Sequence, residues 1–379
     1  MASDPPDVRS GHIYRTYWLY WRLLGVEGEY PLRYLLDVIL NFFVTIWYPT
    51  HLIIGLFQER TIGHVCKNLP FTAESFFCSF KIICFRWRLA EIKKIEQLLI
   101  ELDHRAVSPE ERVFFHQNTR SVAEFISKSY VAAGISATVT GTASVLFSSG
   151  RKLIYPAWFP YDVQASAHRY WLSFAYQATG ASLTILQNMA NDSYPPMTFC
   201  VVAGHVRLLA MRLRRMGHHD EASKHGNAKK LIENIEDHRK LMQIVRLMHS
   251  TLYLSQLGQF ISSGINISIV LINILFFAEN GFAIIYYVVY FMAMVLELFP
   301  SCYYGTLMSM EFHKLPYAIF SSNWLGMGRR YCHTLLVLMQ FTLTEVDIKA
   351  GGMVGISMNA FFATIRMAYS FFTLAMSFR

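Results

Sequence analysis

Charged side chains are scarce in this sequence. Asp, Glu, Lys and Arg make up 16% of its 379 residues and hydrophobic types 53%, where soluble domains carry roughly 25% charged residues. The imbalance excludes a pair of soluble domains and leaves one polytopic membrane domain. The opening MASDPPDVRSGH lacks the basic-then-apolar pattern of a cleaved leader, so the first membrane helix is expected to act as its own signal. The six cysteines form no C-x-x-C pair, which leaves a disulfide framework or thiolate metal site without support; they read as small buried hydrophobes. There is no phosphate-binding loop, no nucleophile elbow and no series of closely spaced His pairs, so no catalytic class is indicated and no cofactor is expected. His218, His219 and His225 crowd a stretch with Asp220, Glu221 and Lys224 that reads as a solvated loop rather than a metal site. A net charge of +8 without basic runs interleaved with aromatics argues against nucleic acid as a partner.

What is present is length in apolar runs. Seven stretches are long enough to cross a bilayer: Tyr34 to Phe57, Leu69 to Phe85, Tyr130 to Phe147, Trp171 to Met189, Leu257 to Ala278, Phe282 to Met308 and Gly351 to Phe378. The second is short and carries Glu74 and Lys81. With no repeat period, the seven predict a single all-α polytopic membrane domain over residues 1–379. Lys and Arg number 25 on one side of these spans and six on the other. Basic segments stay in the cytoplasm, so the amino terminus is expected inside and the carboxyl terminus outside. That orientation is the reverse of a G-protein-coupled receptor.

The inside segments have helical periodicity of their own. Met197 to Leu213 is amphipathic, and Leu231, Ile235, His238, Met242, Val245, Met248 and Leu252 form a stripe that needs a partner, within the chain or between subunits. Tyr331 to Leu343 is too short to span. A cytoplasmic anchor of helices is therefore expected over about 197–256 and 309–350. Outside, Ser148 to Tyr170 is rich in aromatics and prolines, and reads as a lid over the bundle or as an interfacial anchor.

A concentration of aromatics is expected in the outer halves of the spans, where with a few hydroxyls and amides it could enclose a small apolar ligand. The candidates are Phe76, Phe77 and Phe80 in span two, Thr138, Gly141 and Val145 in span three, and Phe174 and Gln177 in span four. Phe276 in span five and Tyr286, Tyr287 and Tyr290 in span six complete the set. Glu297 and Arg366 lie midway along the last two spans, where charge must be paired or wetted. On the closing stretch, Gly352, Gly355, Asn359, Arg366, Ser370, Thr373 and Ser377 share one narrow face at 100° per residue. Such a stripe packs against other helices or lines water.

Several motifs now combine. LFPSCYYG at Leu298 to Gly305, EFHKLPYAIFSSNW at Glu311 to Trp324, a basic helix from Arg329, IKAGG at Ile348 to Gly352 and AYSFFTL at Ala368 to Leu374 resemble the insect odorant receptor family in order, spacing and position. The resemblance implies an odorant-binding subunit of a ligand-gated, non-selective cation channel, joined with a shared co-receptor into a heterotetramer in the plasma membrane of olfactory neuron dendrites. It implies a volatile ligand in the outer half of the bundle, contact with membrane lipid, and a last helix over 351–379 that surrounds the pore, its gate near Thr373 and Ser377. Arg366, in a path for cations, is expected to turn aside. TEVDIKAGG lacks the proline that the family places before its A-G pair, so the turn into the last helix is expected to differ.

Overall fold

The computed structural model describes residues 7–24, 31–58, 61–146, 153–155, 157–218, 224–276 and 281–377. Two short amino-terminal pieces lead in: α1 (Arg15–Leu23), then α2 (Pro31–Phe42), which passes through a π-helical turn into α3 (Tyr48–Gln58). The widened turn falls just before Pro49, whose missing N–H and ring cannot continue a regular α-helix. α2 and α3 together make the first membrane crossing. Next come α4 (Ile62–Trp87), α5 (Leu89–Asp103), α6 (Pro109–Phe115) and α7 (Ser121–Leu146). α8 (Ala167–Arg215), α9 (Lys224–Phe276) and α10 (Gly281–His313) form the long core of the bundle. They are followed by α11 (Leu315–Phe320), α12 (Arg329–Thr342), a ribbon of β1 (Lys349–Ala350) with β2 (Val354–Gly355), and α13 (Met358–Ser377).

The structure moves the boundaries of four spans. α4 begins at Ile62 and runs 26 residues, so the second span is full length rather than short. Its Glu74 and Lys81 fit because their partners are inside the protein. Spans four and five do not stop at the membrane: α8 is one helix of 49 residues and α9 one of 53, each including its cytoplasmic half. α8 continues through Pro195 and Pro196 because every residue from Ala190 to Val206 is buried, and tertiary packing overrides the two lost hydrogen bonds. The last helix starts at Met358, not at Gly351. Gly351 and Gly352 adopt φ of 58° and 70°, which turn β1 back onto β2 with Ala350 opposite Val354. Gly352 and Gly355 therefore leave the helical stripe. Phe147, Ala278 and Phe378, the expected ends of three spans, lie outside the described residues.

Among the described residues, the stretches 37–58, 167–215, 226–276 and 287–320 are long and apolar enough to cross a membrane on composition alone. α4, α7 and α13 complete the seven-helix fold. The main core is cytoplasmic and inner-leaflet in position: Tyr17, Trp21, Phe85, Phe115, Tyr194, Phe199, Leu241 and Met248 are all essentially inaccessible. Farther out, large apolar side chains are exposed, including Leu35, Ile39, Phe42, Ile135, Val139, Ile285, Val289, Leu296, Phe362 and Phe371. In water such a surface would aggregate; in lipid it is solvated.

Candidate functional site

The bundle interior is polar at mid-depth. On α4, Glu74 and Lys81 stand seven residues apart and so on one face. Lys81 Nζ donates to Asp192 Oδ1 at 2.8 Å and Asn188 Oδ1 at 3.0 Å on α8, and to Gln259 Oε1 at 2.5 Å on α9. Glu74 Oε1 lies 3.8 Å from the same ammonium, and Glu74 Oε2 accepts from Ser262 Oγ at 2.6 Å and Asn266 Nδ2 at 2.8 Å. α10 joins through Glu297, whose Oε1 accepts from Asn188 Nδ2 at 2.8 Å. Tyr130 of α7 donates to the Glu297 carbonyl at 3.4 Å. Five helices thus meet at one charge cluster.

Glu74, Asp192 and Glu297 offer oxygens within 4.8 Å of one another, a spacing compatible with a hard cation. The chain supplies its own cation there, because Lys81 already holds one oxygen of Asp192 and the amide oxygens around it. The candidate charge at Glu297 is therefore an internal partner of α8. The sequence pattern marks Glu297 but does not pair Lys81 with Asp192; the one local signal for the cluster is the shared face of Glu74 and Lys81.

On the outer side, α8 clamps the connecting segment. Gln177 Oε1 accepts from Ile154 N at 3.0 Å, and its Nε2 donates to the Tyr155 carbonyl at 2.9 Å. Tyr48 of α3 bonds Tyr155 through their hydroxyls, and the His51 ring meets the Trp158 carbonyl at 2.6 Å. His51, Phe159 and Tyr176 pack edge-on or tilted around the contact, with ring centres 5.3–6.0 Å apart. Residues 153–155 and 157–161 thus close over α3 and α8 as a strap; residues 148–152 and 156 of the expected lid lie outside the described residues. Gln177, a predicted ligand contact, is committed to this strap.

The other predicted ligand residues separate. Phe80 and Phe77 lie against Gly258 of α9, their ring atoms 3.1 and 3.7 Å from where a Cβ would sit. That is the level of Gln259, at and below the charge cluster rather than in the outer half. The extra turns at the start of α4 account for the difference. Phe76 is half exposed and edge-on to Phe77. Phe174 is buried and stacks on Tyr170 near the outer start of α8. Thr138 is partly buried and returns its hydroxyl to the Gly134 carbonyl at 2.9 Å. Phe276 closes α9, and Tyr287 is buried on α10. Tyr290 packs on Ile267, Met294 and Ala368, which joins α9, α10 and α13. Gly141, Val145 and Tyr286 belong to α7 and α10, with side chains outside the described set.

α13 is attached along one side only. Phe361, Thr364 and Ala368 are buried, and Phe361 meets Phe299 of α10 with ring centres 5.6 Å apart. Stepping 100° per residue, Asn359, Arg366, Ser370, Thr373 and Ser377 lie diametrically opposite that packed side, and all five are exposed. The structure thus chooses between two options: the stripe does not pack inside its own bundle. Arg366 does not turn inward, and among the described residues it makes no salt bridge. The hydroxyls of Ser370, Thr373 and Ser377 return to carbonyls of their own helix at 2.8–3.0 Å.

One further constellation is instructive by its geometry. Ser10, Asp103 and His205 are buried together in the cytoplasmic half, with Ser10 Oγ 2.7 Å from Asp103 Oδ1 and 3.0 Å from His205 Nε2. His205 Nε2 also faces Asp103, at 3.4 Å. A proton relay requires opposite imidazole nitrogens toward Ser and Asp, so this is a structural clasp for the amino terminus.

Comparison with known proteins agrees with this architecture. The family model described as "7tm Odorant receptor" matches residues 61–369. The chain is 65% identical to Odorant receptor 33b of Drosophila melanogaster over 379 residues, covering 100% of both chains. It is 64% identical to Odorant receptor 33a and 32% identical to Odorant receptor 33c of the same species, covering 98% and 97% of each chain. Among solved structures, the olfactory receptor OR5 from Machilis hrabei superposes with a TM-score of 0.84 at 15% identity, over 97% of this chain and 98% of that one. The same receptor has been solved in complex with eugenol.

Proposed function

The chain belongs to the seven-transmembrane odorant receptor family, and we propose on that premise that it binds a small volatile odorant and gates a cation channel with a shared co-receptor subunit. It is a receptor rather than an enzyme. The observation that carries the channel reading is α13: its polar stripe faces away from its own subunit, and although the Ser370, Thr373 and Ser377 hydroxyls bond within the helix, the exposed Asn359 amide and Arg366 guanidinium on the same face call for water or another chain. A cytoplasmic anchor fits the exposed Tyr317, Phe320, Leu336, Phe341 and Leu343 of α11, α12 and the following residue, which no lipid covers at that level. The odorant site of this reading lies between the outer parts of α7, α8, α9 and α10, near Thr138, Phe174, Phe276, Tyr287 and Tyr290, beneath the strap; the burial of Phe174 and Tyr287 supports it. Tyr290 packs against the apolar cluster that Ile267 of α9, Met294 of α10 and Ala368 of α13 form together, so a ligand against this wall would bear on the last helix through that cluster. The site of action is the sensory dendrite membrane.

Current recordings test the reading. Co-expression with the co-receptor should give odorant-evoked cation current, and expression alone little; robust current from this chain alone would overturn the need for a partner. Arg366→Ala should alter conductance or ion selectivity in the heteromer without loss of surface expression. Unchanged permeation at normal expression would place the stripe away from the ions.

A further inference from the structure

α1 is pinned at an unusual depth. Its buried side holds Tyr17, Tyr20 and Trp21, and Tyr17 and Phe85 both pack on Tyr194, with ring centres 4.9 and 5.7 Å away. Phe85 is next to the exposed Arg86 and Trp87, which mark the cytoplasmic edge of α4. From there α1 runs toward Leu24, whose carbonyl accepts from Asn41 Nδ2 at 2.8 Å. Asn41 lies four residues into the apolar crossing stretch 37–58, about 6 Å at 1.5 Å per residue. The carboxyl end of α1 is therefore held within the inner leaflet.

The opposite side of α1 has a composition suited to that position. Arg15, Leu19, Arg22 and Leu23 fall on one stripe and are all exposed, Leu19 at 45% and Leu23 at 53%. Among the described residues no carboxylate lies within salt-bridge distance of either arginine. Two leucines at hydrocarbon level with two arginines able to reach the surface describe a lipid rather than a soluble partner.

We propose that this face of α1 binds an anionic phospholipid of the cytoplasmic leaflet, Arg15 and Arg22 holding its headgroup and Leu19 and Leu23 its acyl chains. Depth selects the occupant: a soluble phosphate or acidic peptide would have to leave water to reach Arg22 and Leu23. At the strength typical of basic residues near an anionic membrane surface, two arginines favour the anionic over the zwitterionic lipid by about 30-fold.

The test uses the purified full-length chain in detergent, titrated with pyrene-labelled phosphatidylserine or phosphatidylcholine and read by energy transfer from tryptophan. Wild type should prefer phosphatidylserine by at least tenfold, and 10 mM inorganic phosphate should not compete. R15Q/R22Q should bring the two lipids to parity, whereas R15K/R22K and the distant R329Q/R330Q should retain the preference. Equal binding of both lipids by wild type overturns the proposal, whether or not R15Q/R22Q folds. Full displacement by inorganic phosphate, or undiminished preference in a monodisperse R15Q/R22Q, overturns it as well.

Discussion

Replacing Lys81 by Met should unfasten the middle of the bundle. At an effective dielectric near 20, the 2.8 Å contact with Asp192 and the 3.8 Å contact with Glu74 carry about 6 and about 4 kcal/mol of attraction. Much of this offsets the desolvation of the groups themselves. Removing the cation alone leaves Asp192, Glu74 and Glu297 facing one another, and breaking a buried pair in this way costs about 3–5 kcal/mol. Lys81→Met should therefore lower the folded-to-unfolded ratio roughly 150- to 5,000-fold at a given denaturing condition, read as a lower midpoint in thermal unfolding by fluorescence size-exclusion. Lys81→Met with Asp192→Asn should recover at least 1 kcal/mol relative to the sum of the single changes. Glu297→Gln should be neutral or stabilising, since its Oε1 keeps the bond from Asn188 while one like charge disappears. A Lys81→Met protein as stable as wild type, or strict additivity with Asp192→Asn, would refute the account of the cluster.

Gln177→Leu removes both bonds to the strap and should cost about 1–3 kcal/mol locally, seen as faster proteolysis within 153–166 and faster odorant on- and off-responses. Gly305→Ala should impair folding or gating, because a Cβ there would stand 2.5 Å from the Ile356 carbonyl of the ribbon and no side-chain rotation relieves it; surface expression and current amplitude report it. By contrast, Gly134→Ala meets only the flexible side chain of Met189 and should be absorbed, leaving the unfolding midpoint nearly unchanged. Burial would raise the Glu311 carboxyl, but Arg207 and Lys314, each at 2.8 Å, hold it below the usual carboxylate range. Its contribution is thus present above about pH 4.3 and is lost as pH falls through the depressed value. Glu311→Gln should lower stability by about 1.5–3 kcal/mol at pH 7, with the gap from wild type closing in acid.

The sequence disclosed the fold where physics is additive along the chain. Twenty apolar residues in succession have few alternatives to a membrane helix, and the bias of Lys and Arg orients them. It disclosed less where a boundary depends on neighbours. α8 passes through Pro195 and Pro196 because the surroundings are packed, and Gly351 starts a ribbon because Gly305 of α10 lets the backbone approach. The stripe from Asn359 to Ser377 was readable, since helical periodicity fixes it, but its direction required knowing which side Phe361 and Ala368 bury. Lys81 and Asp192 are 111 positions apart, and no local pattern pairs them. The aromatic set was the least legible, because aromatic residues at helical spacing serve core, strap and pocket alike.

The stripe on α13 contributes almost nothing to folding. Its hydroxyls are satisfied by their own helix, and its neighbours across the axis supply the packing. Substitutions along it can therefore change what ions encounter without threatening the subunit's integrity. On the proposed pore reading, permeation and foldability are separable traits in this chain, held on opposite sides of a single helix 20 residues long.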